Sequence, residues 1–281
     1  MPQHGIGAQG APSRRLRSLA TAVLAALVGF GALAAVAPDA RAATYKVVNV
    51  VGPVGSSTAN YRSNANLLAT QAASYGATVV KVYTPNATWS RVRAAAKGAN
   101  VLIYLGHGNG WPSPYYPFAT SRMDGFGLTA ALNKGNTNTK YYGESYMATL
   151  GLAKNAVVVL NRLCYASGDS EWGTANPTRA TAVKRVDNYG FGFLRGGAKA
   201  VFASGITSAS YVLRGLFKGS AAMTMSQLFW SDPSKTGTYK FSFAGVRTAG
   251  TQALMDPYAP SRYYRSVIGY LATTVGNWRS G

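Results

Sequence analysis

His107 and Cys164 are the two side chains of this sequence best suited to covalent chemistry. An imidazole moves protons near neutral pH, and a thiolate attacks carbonyl carbon readily. Each stands just beyond an apolar run. His107 sits in Gly106-His107-Gly108 after Val101-Leu102-Ile103-Tyr104-Leu105, and Cys164 follows Ala156-Val157-Val158-Val159-Leu160 and the link Asn161-Arg162-Leu163. Glycine beside the histidine lets the backbone approach a substrate carbonyl, which makes the N–H groups of Gly108 and Cys164 candidates for an oxyanion hole. The chemistry predicted is acyl transfer, with Cys164 as nucleophile and His107 as its base. Taken singly, a free cysteine is commonly a buried apolar filler and a lone histidine a loop residue satisfied by a carbonyl. Their matched placement favours catalysis.

The composition narrows the alternatives. Among 281 residues there are two histidines and one cysteine, so an intramolecular disulfide framework and a Cys/His zinc cluster are both excluded. The pattern G-x-S-x-G is absent, and a zinc-protease H-E-x-x-H needs more histidine than the exported chain would hold. At 47% hydrophobic and 12% aromatic residues, the chain can bury a sizeable core.

Residues 1–42 read as a secretory signal. Arg14, Arg15 and Arg17 form a basic region, Leu19 to Ala37 a charge-free apolar one, and Ala40-Arg41-Ala42 a small-x-small cleavage pattern. An uncleaved anchor is the competing reading, and the route, general or twin-arginine, is open. The stretch Gly5-Ile6-Gly7-Ala8-Gln9-Gly10 matches a dinucleotide fingerprint but follows no strand and would leave with the signal. Removal also takes Arg41, Asp39 and His4, leaving 24 basic and 7 acidic side chains, a net charge of +17, with His107 and Cys164 as sole representatives of their types.

The elements that must position the pair follow from periodicity. Strands are predicted at Tyr45 to Val51, Ala77 to Tyr83, Val101 to Leu105, Ala156 to Leu160 and Ala198 to Ser204; helices at Asn64 to Tyr75, Thr88 to Lys97, Glu144 to Leu152 and Thr178 to Arg195. A Pro- and Gly-rich loop runs from Asn109 to about Gly127. Continuous apolar strands alternating with helices predict a mainly parallel sheet covered on both faces. One domain over 43–281 is expected, its pattern weaker over 205–281: Val212 to Trp230 as a helix, Tyr239 to Val246 as a strand or hairpin arm, and Ser261 to Thr274 as either. In such sheets, ligands bind beyond the carboxyl ends of the strands, so His107 and Cys164 share a rim if their strands are neighbours.

An apolar strand running into His107-Gly108, and a second running into Cys164 with Ser167-Gly168 shortly after, resembles the caspase-like cysteine peptidases, the clan of caspases, legumains, gingipains and clostripain. Phe193 to Ser204 is similar to the helix-to-strand passage after the nucleophile in its bacterial members. The resemblance spans about Tyr45 to Ser204. It implies an α/β, caspase-like three-layer αβα sandwich with a mainly parallel central sheet. It also implies a secreted endopeptidase in which Cys164 attacks the scissile carbonyl, His107 protonates the leaving amine, and the Gly108 and Cys164 amides hold the oxyanion. No cofactor or metal is implied, with calcium dependence open.

Specificity in that clan rests on the residue before the cut. Asp169 and Glu171 are candidates for a pocket wall selecting Arg or Lys, an Asp-selecting pocket is an equal alternative, and Trp111 with Tyr115, Tyr116 and Phe118 would line the cleft or form a lid. The partners expected are a protein or peptide substrate and an anionic cell-wall polymer attracted by the positive charge, with nucleic acid less favoured and no membrane after signal removal. Two further functions use the same residues: an inactive caspase-like protein that binds wall polymer or a protein, and a wall-peptide amidase.

Overall fold

The computed structural model describes residues 45–281, so the signal predicted over 1–42 lies outside the described residues. Its centre is an eight-stranded sheet in the order β2-β1-β3-β6-β7-β10-β9-β8. The first five of these strands are parallel: β1 (Lys46–Val51), β2 (Thr78–Tyr83), β3 (Val101–Leu105), β6 (Ala156–Asn161) and β7 (Ala198–Ser204). Every residue of β3 and β6 is buried, as continuous apolar runs in a doubly covered sheet must be.

Alternation along each strand divides the core into two layers. Leu102, Tyr104, Val158 and Leu160 face helices α2 (Trp89–Ala96), α3 (Glu144–Met147) and α4 (Arg179–Arg195). Val101, Ile103, Val157 and Val159 face α1 (Thr58–Ser74), α5 (Ser210–Lys218), α6 (Met225–Trp230) and α7 (Val275–Arg279). The handedness of parallel crossovers explains the split. The step from β1 to β2 moves one way along the sheet and puts α1 on one face. The steps from β2 to β3, β6 and β7 move the other way and put α2, α3 and α4 on the opposite face. The three-layer α/β sandwich with a mainly parallel sheet is therefore as expected.

The weaker C-terminal pattern resolves into an extension of the same sheet. Strands β8 (Phe241–Ala244), β9 (Gln252–Met255) and β10 (Arg265–Gly269) form an antiparallel meander whose last strand pairs with β7. The predicted helix Val212 to Trp230 is two helices, because the chain leaves α5 at Gly219 and restarts at Thr224, whose side chain and that of Gln227 form a capping box. Ser261 to Thr274 contains β10 and no helix; Thr274 caps α7. The predicted helix Glu144 to Leu152 stops at Met147, and α1 starts earlier than expected, at Thr58. A two-stranded ladder, β4 (Phe126–Thr129) with β5 (Thr139–Tyr142), closes the long loop after β3. The described residues 45–281 belong to one compact unit.

Candidate active site

Strands β3 and β6 are immediate parallel neighbours, with Leu105 opposite Asn161. Both end at the same sheet edge, so the chain delivers His107 two residues beyond one strand and Cys164 three beyond the next. The loops then meet. Gly108 lies so close to the Cys164 loop that a Cβ there would fall 2.2 Å from the Cys164 carbonyl oxygen and 2.7 Å from the Tyr189 hydroxyl. Only glycine permits that approach.

Each loop is held by its own backbone. The His107 carbonyl accepts from the Gly127 N–H (3.1 Å) and from the Tyr104 hydroxyl (3.1 Å), which anchors the loop to the buried end of β3. On the other side, Arg162 and Tyr165 take left-handed conformations (φ 58° and 68°). Such conformations cost energy in residues with a Cβ and concentrate at functional sites. They fold the chain tightly round Cys164, helped by hydrogen bonds from Arg162 N–H to Ser204 O (2.7 Å) and from Ala166 N–H to Cys164 O (2.9 Å). Among the described residues the Gly108 N–H donates to no protein acceptor, and the Cys164 N–H lies against its own sulfur.

Electrostatics keep the resting pair neutral. Burial, and then the nearby Glu171 and Asp169 carboxylates, push the Cys164 thiol up to about 11. Burial lowers His107 below its ordinary value, and Glu171 only partly opposes this. His107 nevertheless presents surface to solvent at the rim, while Cys164 is half-buried. Among the described residues no hydrogen bond joins the imidazole to the sulfur. The arrangement therefore suits a thiol that ionises as it attacks, with the imidazole free to serve the leaving group, rather than a standing thiolate–imidazolium pair.

The predicted pocket residues separate. Asp169 and Glu171 both line an open cavity of about 380 Å³, together with Trp172, Asn176, Arg262 and Tyr264. His107 and Cys164 do not line it; it lies beside them. Asp169 is buried, accepts the Ser170 N–H at 3.0 Å, and sits 3.8 Å from the Arg262 guanidinium. Glu171 is half-buried and accepts from the Tyr115 hydroxyl at 2.9 Å, bridging the loop after His107 to the loop after Cys164. Trp111 is not part of that cavity: its N–H donates to Asp124 Oδ1 (2.9 Å), its carbonyl accepts from Asn188 (2.9 Å), and its ring packs near Phe118.

Sequence reasoning missed Arg185. From the buried face of α4 it donates to the Pro112 carbonyl (2.9 Å), the Asp169 carbonyl (3.1 Å) and the Ser170 hydroxyl (3.0 Å), and stands 4.5 Å over the Tyr165 ring. One guanidinium thus ties the loops after β3 and β6 to one helix. Its spacing was the available signal: Arg185 falls on the stripe of Ala182, Val186, Tyr189 and Phe193, where a charge must have polar partners. Asp124 was also missed. Burial raises its carboxyl well above the ordinary value, and the Trp111 N–H that it accepts opposes that shift. Among the described residues no cluster of His, Cys, Asp and Glu could hold a metal ion.

Fold and rim together define an α/β protein whose sheet edge carries one cysteine and one histidine in adjacent loops. No family model matches the chain, and no curated protein matches it. Among solved structures, it is similar to a secreted C11 cysteine protease from Bacteroides thetaiotaomicron, determined with an irreversible peptide inhibitor. That match has 10% identity and a TM-score of 0.37, over 76% of this chain and 66% of that one. It is also similar to protein GSU0716 from Geobacter sulfurreducens (14% identity, TM-score 0.33, over 66% of this chain and 87% of that one). The chain thus spans less than two thirds of the protease's length. These scores are low, and the chain's own residues carry the functional reading.

Proposed function

We propose that this protein is a cysteine peptidase acting through Cys164 and His107. The observation that carries the proposal is the pairing of β3 with β6, which brings the two loops into contact at Gly108 and the Cys164 carbonyl. In the proposed cycle the Cys164 sulfur attacks the carbonyl carbon of a peptide bond, and the Gly108 and Cys164 N–H groups receive the oxyanion. The thiol proton passes by way of His107 to the leaving nitrogen, and the C–N bond breaks to leave a thioester. Water then adds to the thioester with His107 as base, releasing the acid and restoring the thiol.

Glu171 and Asp169 beside the thiol favour a substrate that brings positive charge, because a cation there would offset the field that keeps the sulfur protonated. The test is labelling by peptide-like acylating probes carrying Arg, Asn or Asp. Label is expected on Cys164, with Arg preferred, and is lost in both Cys164→Ala and His107→Ala. Peptide cleavage at an unchanged rate in Cys164→Ala would overturn the proposal. Parallel incubation with purified peptidoglycan separates a general peptidase from a wall-peptide amidase.

A further inference from the structure

The charges of this protein are sorted by depth. Of the seven carboxylates in the described residues, Asp124, Glu144, Asp169, Asp187, Asp232 and Asp256 are buried, and only Glu171, at the catalytic rim, reaches solvent. Of the 24 Lys and Arg in the same residues, only Arg185 and Arg265 are buried. The ion pairs match this: Arg247 with Glu144, Arg262 with Asp169, and Arg265 with Asp232 and Asp256. Basic groups elsewhere on the described surface face water without a carboxylate partner. Self-repulsion of this kind destabilises a compact chain unless a partner neutralises it.

A shaped concavity on the positive surface lies near the site. At the carboxyl end of β2 a cleft of about 330 Å³ is lined by Arg62, Lys81, Tyr83, Asn86 and Arg91, with no carboxylate. All three cations are exposed, and the one polar contact among them, Lys81 Nζ to the Asn66 amide oxygen at 3.0 Å, leaves the charge intact. Tyr83 is opposite Val51, and Val51 is opposite Leu105, so the cleft opens on the same sheet edge as His107, two strand spacings or about 10 Å away.

We infer that this cleft binds a phosphodiester polymer through its backbone alone, holding the protein on an anionic polymer beside its catalytic rim. Single-stranded nucleic acid is the less suitable polyanion, because such sites stack bases on exposed aromatic rings. The one aromatic ring lining the cleft, Tyr83, is half-buried, and its hydroxyl donates to the Asn66 amide oxygen at 3.4 Å. A lipid surface is also disfavoured, since the cleft is concave and no large apolar side chain among those exposed lies in it.

The test compares residues 43–281 with two triple variants of equal charge change: Arg62→Ala/Lys81→Ala/Arg91→Ala, and Arg214→Ala/Lys218→Ala/Lys235→Ala on other surfaces. Binding to immobilised poly(glycerol phosphate) is measured across a salt series. The cleft variant is expected to lose about tenfold in affinity, with a log–log salt slope shallower by about 2, as the loss of three phosphate contacts requires. The control variant should lose much less. Equal losses in both variants would mean diffuse attraction and overturn the site. Tighter cleft-dependent binding of single-stranded DNA, or of anionic vesicles, would overturn the polymer assignment. Peptide cleavage plays no part in this readout, so the inference stands or falls independently of the proposed activity.

Discussion

The Cα of Gly108 faces the carbonyl oxygen of Cys164 with no room for a methyl group between them. The Cys164 loop is therefore packed on the His107 loop through backbone atoms, and the relative position of the two side chains is set by the sheet beneath. Gly108→Ala should force the loops apart, at a cost of about 1–3 kcal/mol in folding stability from overpacking. Urea denaturation measures that cost. Labelling of Cys164 by a peptide-like probe should fall far more than the stability change explains if the Gly108 N–H is the proposed oxyanion donor, because it moves as well.

Alkylation of Cys164 by neutral iodoacetamide reports its thiolate directly. With the thiol pushed up to about 11, the rate should still be climbing above pH 9. Removing the Glu171 charge favours the thiolate, so Glu171→Gln should move the curve to lower pH. A shift to higher pH, or none, would remove Glu171 from the electrostatic account of the thiol.

Arg185→Ala should cost about 2–4 kcal/mol, because it removes a buried, hydrogen-bonded charge and leaves the Pro112 and Asp169 carbonyls without that donor. Chemical denaturation gives the magnitude. Proteolytic sensitivity should rise at both loops together, around residues 111–118 and 165–172, since one side chain ties both.

Asp124 gives a pH signature of definite sign. Its folded carboxyl holds its proton well above the ordinary value, so between the unfolded and folded values the native state binds more protons and stability falls as pH rises. Asp124→Asn removes that titration and keeps an oxygen for the Trp111 N–H. The stability of the variant, relative to the parent, should therefore improve from pH 4 to pH 8. Melting curves at a series of pH values measure this; a difference independent of pH would mean that Asp124 is ionised in the fold.

Among the five parallel strands β3 and β6 were the most legible, because burial on both faces writes them as apolar runs, as in Val101 to Leu105, whereas β2, at the sheet edge and only partly buried, was marked by its β-branched residues. The rim followed, since the topology of such sheets places both loop ends on one edge. The antiparallel meander was less legible. Phe241-Ser242-Phe243-Ala244 is half-exposed at the sheet edge, and β10 carries Arg265, whose charge is matched only by Asp232 and Asp256 from distant parts of the chain. Arg185 escaped for a related reason: its spacing marks it as buried, but its partners, the Pro112 and Asp169 carbonyls and the Ser170 hydroxyl, come from two loops that no local pattern connects to it. Trp111 drew attention as a ring in a loop, whereas the structure uses mainly its backbone.

The sorting of charge by depth has a further consequence for how this protein senses its surroundings. With almost every exposed ionisable group a lysine, an arginine or a tyrosine, acidification finds little on the exterior to protonate apart from His107, and its interior targets are carboxyls such as Asp187, which burial raises above the ordinary value. The outer electrostatic face is thus nearly constant from mildly acid to mildly alkaline conditions, and electrophoretic mobility should be correspondingly flat. Ionic strength, rather than acidity, is the variable by which an environment could loosen this surface from a polyanion.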